Sequence, residues 1–267
     1  MGIDYMIGYD SEPKRALTIA GLMGRLKSRE RAQTIIELYR RQGDMRSPEF
    51  MGFEMVRHTA DGTEETETIV IQDLLDLAEE LKLYEPYCVG CPANRSETSF
   101  GCIGAINYPL SAEAERWLLD QLPDNSHPLT FMLLQKAVRE MGYTGDAASP
   151  LRVQQGVFLE SPIPLERRMG DFSISGNQIF ELLFLSGPIK PAHAALLLQF
   201  FGGISPNLDA DVMIQLATPP SQDWINDHVP FLHRVAAGDD ASIVSLKHFF
   251  QALYLAYRLD VPILLDV

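Results

Sequence analysis

Cys88-Val89-Gly90-Cys91-Pro92, followed by Cys102 after ten intervening residues, gathers all three cysteines of the chain into fifteen positions. A C-x-x-C pair brings two thiolates to one metal ion across a tight turn. Gly90 gives that turn backbone freedom, and Pro92 fixes φ just beyond the second sulfur. Cys102 then returns as a third ligand from the far side of the polar loop 94–99. Structural zinc takes four ligands, usually Cys or Cys with His, and iron–sulfur clusters normally take four thiolates. The count is one short for either. A histidine, a carboxylate, a small molecule or a partner chain has to complete the shell. One C-x-x-C is a weaker signal than two at zinc spacing. The same residues also read as a redox pair, or as buried thiols that pack like small hydrophobes. Thioredoxin-like pairs sit where a strand meets a helix, whereas Pro86 precedes this pair and a polar loop follows it.

Two histidines are candidates for the missing ligand: His58 on an expected hairpin, and His127 beside Asp124-Asn125-Ser126. A lone loop histidine is more often simply solvated. His193 opens an apolar helix, where the helix dipole disfavours its protonation, and reads as packing. His228, His233 and His248 fall on expected helices with no other chemistry, and Asp209 and Asp211 point in different directions on a helix. The chain has no nucleophile elbow, phosphate loop, dinucleotide fingerprint or paired-histidine zinc helix.

The elements that must position these residues follow from patterning. Ile3–Ile7 reads as a short strand. Ser11 and Ser28 read as N-caps of two helices, the second closed by Gly43. Phe53–His58 and Thr66–Ile71 alternate as a hairpin across Asp61-Gly62, and a leucine-rich helix then leads into the cysteine loop. Ile103–Tyr108 is a strand, Ala112–Leu122 a helix capped by Ser111, and Leu129–Met141 another helix. Residues 153–159 look strand-like. Helices are expected over 177–185, 191–201, 208–216, 223–235 and 242–259, and the apolar tail 261–265 is expected to dock as a strand against the N-terminal sheet. The fold class is therefore α+β: a small antiparallel sheet with helices in the N-terminal half, and a mainly helical C-terminal half. The turn-rich stretch 142–150 is the candidate boundary, giving regions 1–149 and 150–267, which could pack as one domain.

A chain of 267 residues with 46% apolar and 22% charged residues is long and apolar enough to bury a core without staples. Its net charge of −14 discourages nucleic acid or an anionic membrane as partner. The charge is uneven, +2 over residues 1–60 and −16 over the rest. Arg25, Lys27, Arg29, Arg31, Arg40, Arg41 and Arg46 carry the basic excess, either as a surface for an acidic protein partner or as the solvated face of helices. No secretory signal opens the sequence and no apolar run reaches the length of a membrane span. The expectation is a cytoplasmic protein without a membrane partner. A reducing compartment makes metal a better use of clustered thiols than a disulfide. Three functions follow in order. The first is a metal-binding accessory or regulatory protein with a protein partner, holding zinc on Cys88, Cys91 and Cys102. The second is an enzyme with an iron–sulfur cluster on the same residues. The third is a metal-free protein-interaction module.

Overall fold

The computed structural model describes residues 2–58, 64–96, 98–154, 156–185, 187–217 and 221–266, and it is 52% helical and 14% strand, with its strands in small antiparallel sheets. The class is α+β, as the patterning predicts. The chain forms two compact units. One is the contiguous stretch Asp10–Cys91. The other joins Met1–Tyr9 to Pro92–Val267, so the first is an insertion in the sequence of the second. The turn-rich stretch 142–150 lies inside the larger unit.

β1 (Gly2–Ile7) opens the larger unit, with Ile3, Tyr5, Met6 and Ile7 all buried. The inserted unit then begins with α1 (Glu12–Leu17) and α2 (Ile19–Arg41). The break between them falls at Thr18, not at Ser28. Thr18 sits at φ +60°, a region costly for a β-branched residue, and its Oγ1 accepts a hydrogen bond from the Gly21 amide at 3.2 Å. The threonine thereby ends one helix and caps the next, while Ser28 becomes an interior helical residue. β2 (Gly52–His58) and β3 (Glu64–Val70) form the expected antiparallel hairpin, with Phe53 opposite Ile69. The expected Asp61-Gly62 turn lies outside the described residues. α3 (Ile71–Glu79) follows directly. Ala32, Met51 and Ile71 form a small core, and Ile35, Tyr39, Phe53 and Leu74 pack around it. Two 3-10 turns, Glu80–Leu83 and Glu85–Cys88, complete the unit.

The larger unit resumes with β4 (Ile103–Asn107), antiparallel to β1 with Gly104 opposite Tyr5. α4 (Ala112–Gln121) is capped as expected, the Ser111 hydroxyl accepting from the Ala114 amide at 3.0 Å. α5 (Pro128–Glu140) follows. Among the described residues of 153–159 no strand forms: α6 (Ser149–Val153) takes the start, and Leu159 makes a single bridge to Leu110. β5 (Glu166–Met169) and β6 (Phe172–Ser175) form a hairpin around Gly170-Asp171, with Gly170 at φ +65° as a two-residue turn requires. α7 (Gly176–Phe180) starts in a capping box between Ser175 and Gln178 and continues as a π-turn over Glu181–Leu185. α8 (Pro191–Phe200), α9 (Ala210–Leu216), α10 (Gln222–His228) and α11 (Ala241–Arg258) complete the helices. α10 stops short of its expected end because Pro230 follows and cannot donate to the ladder. β7 (Ile263–Asp266) pairs with the other side of β1, Leu265 opposite Tyr5, so the apolar tail docks as expected in a sheet of order β4-β1-β7.

Aromatic rings carry the core of this unit. Tyr5 meets Phe249 at 5.2 Å, Phe249 meets Phe184 at 5.4 Å, and Phe184 meets Phe180 at 5.2 Å. Beside them a buried ion pair, Arg152 to Glu115 at 2.8 Å, is completed by Asn177, the Ser161 carbonyl and the Leu165 amide. Among the described residues no helix is long and apolar enough to cross a membrane.

Candidate functional site

The cysteine turn forms as its spacing predicts. Gly90 lies at φ +71°, and the Cys91 amide donates to the Cys88 carbonyl at 3.3 Å. Cys88 is buried, Cys91 is half-buried and Cys102 is buried, and all three stand as thiols. The Cys102 carbonyl accepts from the Ile7 amide at 2.9 Å, which ties it to β1. The boundary between the two units falls after Cys91, so the C-x-x-C turn and Cys102 belong to different units. Among the described residues, no three or more His, Cys, Asp or Glu side chains are grouped so as to hold a metal ion. This corrects the reading of Cys88, Cys91 and Cys102 as a zinc-holding accessory site, and with it the iron–sulfur enzyme on the same residues. Closeness in sequence made the ligand set plausible, but a turn that presents two thiols does not by itself bring a third.

The other candidates resolve similarly. Nothing is described of the His58 side chain. His127 Nδ1 lies 3.0 Å from the Ser126 hydroxyl, and that hydroxyl donates to Asp124 Oδ1 at 2.6 Å. The three types resemble a hydrolytic triad, but the serine gives its proton to the carboxylate, not to the imidazole. The arrangement is an Asx turn ahead of α5, the Asp124 carboxylate also accepting from the Ser126 amide at 2.9 Å. Hydrogen bonds from the Ser126 side chain and amide hold the Asp124 carboxyl below the usual range. Burial lowers the pKa of His193, His233 and His248. His233 lies beyond α10, with Nε2 2.8 Å from the Phe201 carbonyl and its ring against Trp117 and Phe250. The basic residues of the N-terminal region are largely neutralised within their own unit: Arg25 on Glu80, Arg29 on Glu85, Arg41 on Glu37 and Arg46 on Asp44. That is the solvated, internally paired face, and it weakens the case for a docking surface.

A site that the patterning did not single out lies on α8. The helix is apolar on nearly every side, with Pro191 in its first turn, where the missing amide costs nothing. Ala192, Ala195, Leu196 and Gln199 stand at i, i+3, i+4 and i+7, so they share one face. Leu133 of α5 forms a second wall, and Met213, Leu216 and Ala217 at the end of α9 form a third. Small side chains on two walls leave a pocket of about 110 Å³. Ala192 and Ala217 are exposed and Leu196 is half-buried, whereas Ala195 and Gln199 are buried. Gln199 is 1% exposed, and its Nε2 has no hydrogen-bond partner. Among the described residues it is the one polar side chain in the lining, and the lining residues include no acid, base or nucleophile. The walls are suited to holding a molecule rather than to transforming it.

Gln199 was visible as the single polar residue in the run 194–201. A reading of apolar periodicity absorbs such a residue into the helix and gives no sign that its amide is unpaired. The chain matches no protein-family model, and no curated protein or solved structure is significantly similar to it.

Proposed function

We propose that this chain is a binding protein for a small, largely apolar molecule that enters the pocket between α5, α8 and α9. The observation that carries the reading is a pocket whose described lining is apolar except for one buried side chain, Gln199. Apolar walls with few polar groups are the ordinary make-up of a ligand pocket. Size limits the occupant. An engineered apolar cavity of roughly 150 Å³ takes benzene, so a pocket of about 110 Å³ takes a ring-sized molecule and not a nucleotide or a drug-sized ligand. With about six or seven non-hydrogen atoms at a ceiling of about 1.5 kcal/mol each, the tightest affinity open to such a ligand is about 20–250 nM.

The test follows the Met213 methyl resonance, assigned with Met213→Leu, while cyclohexanone, phenol or methylcyclohexane is added to its solubility limit. A saturable shift is expected, with a rise in melting temperature that follows ligand concentration. Both should vanish in Ala195→Phe, whose ring fills the pocket. A methyl resonance that stays fixed with every probe would remove the proposal.

A further inference from the structure

We infer that this pocket selects hydrocarbons, taking a ring without a polar group in preference to a ketone or alcohol of the same size. The inference rests on the pocket being a binding site and adds what it recognises. Among the described residues, the lining is made of alanine, leucine and methionine side chains except at Gln199. That residue is 1% exposed, and its Nε2 is essentially closed off from accessible space. An amide that faced a cavity wide enough for a ring would keep accessible surface there. The Gln199 amide is therefore packed into the wall rather than presented to an occupant.

The remaining polar atoms offer little in its place. The backbone amides of Ala195, Leu196 and Gln199 are committed to the hydrogen-bond ladder of α8. The Met213 thioether is at most a weak acceptor. A bound ring thus meets methyl and methylene groups, and its own methyl and methylene groups gain from leaving water. A carbonyl or hydroxyl oxygen on that ring gives up its hydration on entry and finds no partner in return, which is a cost that the hydrocarbon does not carry. Discrimination by this lining therefore works by penalising polar groups, and it acts on donors and acceptors alike.

The experiment compares methylcyclohexane, cyclohexanone and cyclohexanol, which share a ring and differ in one substituent, by titration of the Met213 methyl resonance in the full chain. Methylcyclohexane is expected to bind roughly tenfold to a hundredfold more tightly than either polar ring. Gln199→Leu and Gln199→Met should each leave that ranking and its size unchanged, because the amide takes no part in it. A ketone or alcohol that binds the wild-type chain as tightly as the hydrocarbon would overturn the inference and leave the pocket reading standing. So would a hydrocarbon preference that grows in both variants, since the amide would then be serving the polar ligands. Failure of every probe to bind would instead overturn the pocket reading.

Discussion

The two units solve the same problem with different materials. The inserted unit, Asp10–Cys91, has a small core around Ala32, Met51 and Ile71, and it spends its charge on partly exposed pairs such as Arg25–Glu80. The larger unit has a ladder of touching aromatic rings and places a full ion pair, Arg152–Glu115, out of reach of water. Partly exposed pairs contribute little and tolerate loss. A buried pair is close to neutral as a pair, but costly to halve. Single losses in the core of the larger unit should therefore cost more than single losses among the pairs of the inserted unit. The inserted unit should tolerate change more readily.

The sharpest way to break this comparison is to remove one member of the buried pair. Arg152→Ala should destabilise the larger unit by about 3–5 kcal/mol. Hydrogen exchange should quicken across α4, α7 and α11 while the amides of α2 keep their protection. Equal loss in both units would end the contrast. Gly176→Ala should act similarly, since a methyl group there would meet the Glu115 carboxylate.

Next in size is a gain. Gln199→Leu removes an unpaired buried amide and should raise stability by roughly 1–3 kcal/mol in denaturant melts without ligand. A loss would mean that the amide is satisfied in solution.

The third test is pH. Burial lowers the pKa of His233, with the nearby Lys247 charge acting in the same direction and the Phe201 carbonyl opposing both. The folded chain therefore refuses a proton that the unfolded chain accepts near the ordinary histidine value of about 6.5. Stability is complete above that value and falls as pH drops through it. His233→Gln should flatten that part of the stability profile, and an unchanged slope would reassign it. The smallest effect belongs to the inserted unit, where Arg25→Gln should cost less than about 1 kcal/mol and less still in high salt.

Much of the fold was legible because local rules and tertiary demands agreed. Ser111 caps where a cap was expected, the hairpin of β2 and β3 alternates as its sequence does, and the apolar tail joins β1. The failures fall where tertiary context overrode a local preference. A threonine at φ +60° is not a residue that pattern reading would choose for a break, yet Thr18 is the break. Glu166–Met169 is too short and too charged to announce itself as a strand, and the paired β6 supplies what its composition lacks. The site was less legible than the fold. The cysteines drew attention because three thiols in fifteen positions suggest chemistry, but proximity in sequence carries no information about convergence across a unit boundary. Gln199 gave a fainter signal, since an unpaired amide is a property of its neighbours.

The pairing of β1 also sets an order of birth. Tyr5 pairs with Gly104 on one side and Leu265 on the other, so the sheet closes across nearly the whole sequence. During synthesis the inserted unit has all of its residues while the larger unit still lacks most of its own. Long-range pairings pay their closure entropy before any contact rewards it. Through that interval Ile3–Ile7 waits on the nascent chain as an apolar strand without neighbours, a ready template for wrong pairing. β1 is thus translated before both of its partner strands, and the inserted unit can mature before that sheet closes.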